Sequence, residues 1–139
     1  MVPAVAVLAD THALIWYLTD PEMLSPTAVH VLDGGAEPSR RIVVSAVSLI
    51  ELVYVAEKRS DSIDGDTRRE LCDVLVAPDS PFVLAPVTVD VANRMALIDR
   101  RHVRDPFDRA IIATAQASGL RLVTKDGLLT EHFPDLCLW

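Results

Sequence analysis

The chain has 139 residues, half of them hydrophobic and 24% charged, which suits one folded domain spanning residues 1–139 with a core of its own. Its net charge of −7 excludes a surface that attracts nucleic acid indiscriminately. No apolar run approaches the roughly 20 residues that a membrane span requires.

The first patterned segment is "VAVLAD" (5–10), valine-rich and too short for a helix. It lacks a basic flank and a cleavage site, so it reads as a strand rather than a signal peptide. "HALIWYL" (12–18) has apolar residues on most sides and predicts a buried helix. "SPTAVHVLDGG" predicts a helix with Ser25 as N-cap and Pro26 at its first position, stopping at Gly34 and Gly35 before a polar loop. "RIVVSA" (41–46) is a second buried strand and "SLIELVYVAEKR" (48–59) the helix after it.

"SDSIDGD" (60–66) reads as a loop, and "DTRRELCDVLVA" (66–77) as another capped helix. "FVLAPV" (82–87) is a strand interrupted by Pro86, which assigns it to a sheet edge. "TVDVANRMALIDRR" (88–101) is a helix capped by Thr88. The next helix opens at "DPFD", with Asp105 as N-cap, Pro106 at the first position and Asp108 at the third, and ends at Gly119. "LRLVTKD" (120–126) and "LCLW" (136–139) complete the strands. Helices alternate with strands that are continuous apolar runs, a pattern of α/β folds with a parallel sheet covered on both faces. Cys72 and Cys137 sit in apolar patterns without metal spacing, as reduced thiols of a cytoplasmic protein do.

In such a sheet, strand ends and helix starts share one rim, where ligands bind. Asp10 and Asp126 close strands, and Asp105 and Asp108 open a helix. Glu51 is flanked by aliphatic residues, an expensive place for an unpaired charge. Its local pattern leaves two readings open: a capping box begun by Ser48, or a helix capped by Ser45 with Glu51 in the interior facing the rim. Each acid alone is explained by capping or turn chemistry. Their convergence from separate segments is not, because clustered carboxylates repel unless a cation neutralises them. Oxygen-only donors point to Mg²⁺ or Mn²⁺, and the chemistry that follows is phosphodiester hydrolysis.

Arg94, Arg100, Arg101, Arg104 and Arg109 crowd the stretch around "DPFDR". They form either a solvated face or a local rim that holds a phosphate backbone or an acidic partner segment. His12 follows the first acid and is a candidate general base, although a partly buried helix-start residue explains it as well. Trp16 and Tyr17 could stack on bases or fill a core or dimer contact.

"LADTHALIWYL", "VSAVSLIEL" and "DPFDRAIIATAQASGLRLVTKD", in this order, resemble the PIN domain, specifically the VapC-type ribonuclease toxins of toxin–antitoxin pairs. The resemblance spans residues 8 to about 130. It implies a three-layer α/β/α sandwich with a mainly parallel sheet and a divalent-metal-dependent endoribonuclease. It also implies a homodimer and a cognate antitoxin whose tail reaches the active-site groove. Carried over by residue, the four family acids match Asp10, Glu51, Asp108 and Asp126. Asp105 belongs to the "DPFDR" variant of the motif as a ligand or as support for one. Thr11 and Thr124 match supporting hydroxyl positions, and Arg101, Arg104 and Arg109 are the expected RNA or antitoxin contacts.

Two other classes fit parts of the pattern. A receiver-type phosphoacceptor would use strand-end acids with Thr124 and Lys125, but Asp10 is preceded by Ala9 rather than a second acid, and "RIVVS" ends in serine. A non-catalytic binding module would use the arginine rim and keep the acids as structure.

Overall fold

The computed structural model describes residues 6–35, 40–58 and 63–139. The start of the first apolar run, the polar loop at 36–39 and positions 59–62, where the sequence places the end of the third helix and the start of the next loop, lie outside the described residues.

Five strands, β1 (Val7–Ala9), β2 (Ile42–Ser45), β3 (Phe82–Ala85), β4 (Arg121–Val123) and β5 (Cys137–Leu138), form one sheet in the order β3-β2-β1-β4-β5. Every pairing is parallel. The helices are α1 (Thr11–Thr19), α2 (Pro26–Gly35), α3 (Ala46–Glu57), α4 (Gly65–Val76), α5 (Val89–Leu97), α6 (Pro106–Ser118) and α7 (Gly127–His132). Side chains alternate across each strand, so the apolar runs feed two cores. Val7, Ala9, Ile42 and Val44 pack with Leu14 of α1, Leu32 of α2 and Leu75 of α4. Leu8 and Leu122 pack on the opposite face with Val91 of α5, Ile111 and Ile112 of α6 and Leu129 of α7. A third cluster, built on Ile15, Leu52 and Leu71, joins α1, α3 and α4. The result is the expected three-layer α/β/α sandwich.

Local chemistry sets most element ends. Ser25 accepts from the Ala28 N–H at 3.0 Å, and Thr88 accepts from the Val91 N–H at 3.2 Å. Gly119 ends α6 at φ 65°, the left-handed position that favours glycine, and the Leu120 N–H closes the turn on the Ala115 carbonyl at 2.9 Å. β3 is an edge strand and stops before Pro86, as its sequence requires.

Several boundaries differ from the expectation, among them α3, which starts at Ala46 rather than Ser48. α4 starts earlier because Asp64, not a residue at 66, caps it by accepting from the Thr67 N–H at 2.8 Å. α5 ends at Leu97, four residues short of Arg101, because Asp99 folds a turn of its own: its carbonyl accepts from the His102 N–H at 3.0 Å, and its carboxylate accepts from the Arg101 N–H at 2.8 Å. β4 ends at Val123 rather than at Asp126, which instead caps α7, a short helix that the sequence pattern does not signal.

Candidate active site

The sheet order reverses between β1 and β4, and their carboxyl ends frame the crevice where open parallel sheets bind ligands. The backbone seals this point: the Asp10 N–H donates to the Val123 carbonyl at 3.0 Å. Asp10, one residue past β1, caps α1 and is only 8% exposed. Its Oδ1 accepts from the Thr11 N–H at 2.8 Å and its Oδ2 from the Thr124 hydroxyl at 2.7 Å. Thr124 in turn accepts from the Asp126 N–H at 3.1 Å, so one buried hydroxyl orients two segments that carry acids.

Glu51 arrives from β2 and α3. Ser45 is the N-cap, accepting from the Val47 N–H at 3.3 Å, and this resolves the two readings in favour of an interior Glu51. Ser48, freed from capping, is buried beside Thr11. The Thr11 Oγ1 lies 2.8 Å from Ser48 Oγ and 2.6 Å from Glu51 Oε1. A hydroxyl has one proton, so donating it to the carboxylate leaves Thr11 as acceptor for Ser48. That chain fixes the Glu51 head at the rim.

Asp105 and Asp126 are helix caps in full. Asp105 Oδ1 accepts from the Phe107 and Asp108 N–H groups at 2.8 and 3.0 Å, and Asp126 Oδ1 accepts from the Leu128 and Leu129 N–H groups at 2.9 and 3.0 Å. In each case one oxygen serves the helix and the other is left for the cleft. Asp108, half-buried at the third position of α6, has no capping bond of its own.

All five carboxylates line one cleft of about 400 Å³, together with His12, Trp16 and Lys125. The electrostatics follow. Burial, and then the charges of Asp10, Asp105, Asp126 and Glu51, push the Asp108 carboxyl up to about 7. Burial also raises Asp10, against the lowering effect of its bonds from Thr124 and Thr11, and raises Glu51, against its bond from Thr11. Among the described residues, no three of these side chains stand close enough to enclose an ion as a ready-made cage. The arrangement is instead an open set of oxygen donors, which suits an ion that keeps several of its waters and meets the protein through one or two carboxylates.

The sequence matches the PIN domain family over residues 7–131. The chain belongs to that family. Ribonuclease VapC22 of Mycobacterium tuberculosis (strain ATCC 25618 / H37Rv) is 30% identical over 126 residues, with 91% of each chain covered. The structure of VapBC2 from Rickettsia felis bound to a DNA fragment from their promoter has a TM-score of 0.68 at 15% identity, covering 97% of this chain and 98% of that one. DNA-bound VapBC from Salmonella typhimurium gives 0.65 at 19%, covering 95% and 92%. A toxin–antitoxin complex from Klebsiella pneumoniae gives 0.60 at 24%, covering 96% of both. At these identities the structural likeness concerns the PIN fold.

Within this PIN domain the arginines divide. Arg100, Arg101 and Arg104 line a shallow depression of about 420 Å³. Arg101 grips Asp99, with Nη2 at 2.7 Å from Oδ2, and Arg94 reaches Asp90 at 3.8 Å. Arg109 is committed elsewhere: its Nη2 donates to the Met95 and Ile98 carbonyls at 2.8 and 3.2 Å, tying α6 to the end of α5. Tyr17 donates to Asp33 at 2.9 Å, while Trp16 is the aromatic that reaches the PIN cleft. The sequence singles out Lys125 only for the phosphoacceptor alternative, and Ser48 only as a possible cap.

Proposed function

We propose that this protein is a divalent-metal-dependent endoribonuclease that hydrolyses RNA phosphodiester bonds as the toxin of a type II toxin–antitoxin pair. The observation that carries the reading is the cleft itself: five carboxylates from four segments face one space, where burial and then the charges of the other four push the Asp108 carboxyl up to about 7. A cation relieves that repulsion, and carboxylate donors select Mg²⁺ or Mn²⁺ over softer metals. Bound there, the ion supplies an activated water and steadies the charge that grows on the phosphoryl oxygens.

The chain's own residues then have distinct tasks. Asp10, Asp108 and Asp126, with Asp105 beside them, would hold the ion through one or two direct carboxylates and through its waters for the rest, and Glu51 faces the same space to orient water or complete the set. Thr124 and Thr11 fix Asp10 and Glu51 through the bonds described above. Arg101 and Arg104, with Arg100, offer guanidinium groups to backbone phosphates or to an acidic partner segment. The VapC name of the ribonuclease relative supports the activity, and the VapBC and toxin–antitoxin names of the structural neighbours support an antitoxin partner. An antitoxin guanidinium placed among the acids would substitute for the cation and silence the site. Ile50, Val53 and Tyr54 lie exposed on α3, apolar surface that suits a homodimer. No helix among the described residues is long and apolar enough to cross a membrane, in keeping with a cytoplasmic single-domain toxin.

The test is cleavage of a mixed cellular RNA pool by wild type and Asp10→Asn, with Mg²⁺ or Mn²⁺ and with chelator. Cutting that needs both the metal and Asp10 is the expected result. RNA left intact by the wild type under every metal overturns the reading, as does cutting by Asp10→Asn at the wild-type rate.

A further inference from the structure

The acids leave a problem for any RNA substrate: the cleft that must receive a polyanion is itself anionic. Two side chains on its rim answer it. Trp16, on the second turn of α1, lines the cleft with Asp10 and Glu51. It is only partly buried, so the indole is neither a core residue nor a free surface one. Inward it packs against Trp139, edge to face at 5.9 Å between centroids, and against the apolar clusters beneath α1. Toward the cleft its neighbours are two exposed, displaceable side chains: the His12 ring at 5.7 Å and the Lys125 ammonium, 5.6 Å over the indole.

Lys125 sits between Thr124 and Asp126, next to the metal rim, yet no ion pair among the described residues involves it. Its place over an aromatic face keeps a cation within reach of the cleft without spending it on a carboxylate.

We propose that Trp16 is a base-stacking platform that positions one nucleotide of the RNA beside the acid cluster, and that Lys125 moves from the indole to a backbone phosphate when the base arrives. The inference rests on the ribonuclease reading above and names how that site holds its substrate. Stacking a base on tryptophan outweighs an exposed cation–π contact, so the exchange runs toward the bound state. The ammonium then offsets phosphate charge at the point where the acids oppose it. Trp139 stiffens the platform from behind, and that makes the nucleotide's position reproducible.

The experiment uses the full chain with Mg²⁺ and a short RNA that the wild type cuts, together with a set of the same RNA in which each base in turn is removed to leave an abasic site. Trp16→Leu keeps an apolar side chain under α1 and removes the aromatic face. A melting curve confirms that it folds, and Trp16→Phe serves as the conservative variant. The expected result is a KM about tenfold higher for Trp16→Leu with kcat within about twofold, and recovery of most of the loss by Trp16→Phe. At one abasic position next to the cut, the wild type loses the same factor and Trp16→Leu loses nothing more. Lys125→Gln raises KM and lowers the slope of log KM against log salt by about 0.7.

A KM for Trp16→Leu within twofold of wild type overturns the proposal. So does an equal further loss on every abasic RNA, because the indole then acts only as scaffold. If the wild type cuts none of these RNAs, the ribonuclease reading itself has failed. That outcome is distinct from a nuclease indifferent to Trp16.

Discussion

Replacing Asp108 with asparagine should stabilise the metal-free protein while removing its activity. The carboxyl is pushed from its ordinary 3.8 up to about 7 in the folded chain, first by burial and then by the charges of Asp10, Asp105, Asp126 and Glu51. Between those values the folded state keeps a proton that the unfolded chain has released. Stability from this group is therefore complete below about pH 4 and is lost as pH rises to about 7. At 1.36 kcal/mol per pH unit the full separation corresponds to roughly 4 kcal/mol. Asp108 is half-buried, and solvent screening reduces that to about 2 kcal/mol. About half of it, roughly 1 kcal/mol, falls between pH 5 and pH 8. Asparagine has nearly the same shape and no charge at either pH. For a chain of this size 1 kcal/mol moves Tm by about 3–4 °C. In EDTA, thermal melts followed by circular dichroism should show Asp108→Asn gaining that much on wild type at pH 8 relative to pH 5. Mg²⁺ should then stabilise the wild type more than the variant, since only the wild type offers the full ligand set. A difference between the two proteins that is flat with pH, or that shrinks as pH rises, would refute the electrostatic account of the cleft.

Thr124→Val removes the buried hydroxyl that donates to Asp10 Oδ2 at 2.7 Å. We expect a loss of about 1–2 kcal/mol in urea denaturation and a 10–100-fold fall in cleavage rate, with the rate recovering in part at higher Mg²⁺. Gly119→Ala places a β-carbon where no atom lies within 4 Å, but at φ 65°. It should cost about 1 kcal/mol from backbone strain alone and leave kcat unchanged. Arg100→Glu combined with Arg104→Glu should weaken RNA binding and lower the salt slope by about 0.7 for each phosphate no longer neutralised, while Arg94→Glu should change neither measurably.

Most of the site is legible in the sequence because its acids double as punctuation. Asp10 and Asp105 stand where apolar runs begin or end, and attention to turns and caps finds them without any knowledge of the chemistry. Glu51 is ambiguous for a physical reason: Ser45 and Ser48 are both competent caps, and the choice depends on tertiary contact. Ser48 reaches Thr11 of α1, thirty-seven residues away, and no local pattern carries that bond. The same applies to Arg109, which counts as a rim cation by position until its guanidinium is seen on the Met95 and Ile98 carbonyls. α7 is hidden because "KDG" is also a good turn. Only the burial of Leu129 in the core beneath β4 distinguishes the two. The sheet direction and its two covered faces are readable from the apolar strands. The strand order that brings Asp10 against Thr124 is not.

Hydrolysis of RNA at the acid cluster by a metal-activated water makes a sharp demand on the substrate. The direct measurement is single-turnover cleavage of a defined RNA whose cut position carries a 2′-deoxy sugar, in Mg²⁺ and in EDTA. If water attacks, the neighbouring 2′-hydroxyl has no essential part. The deoxy substrate should then be cut in Mg²⁺ within about tenfold of the all-ribose rate, leaving no cyclic phosphate, with no cutting in EDTA. Cleavage that persists in EDTA, or that disappears with the 2′-hydroxyl and leaves cyclic ends, would contradict it.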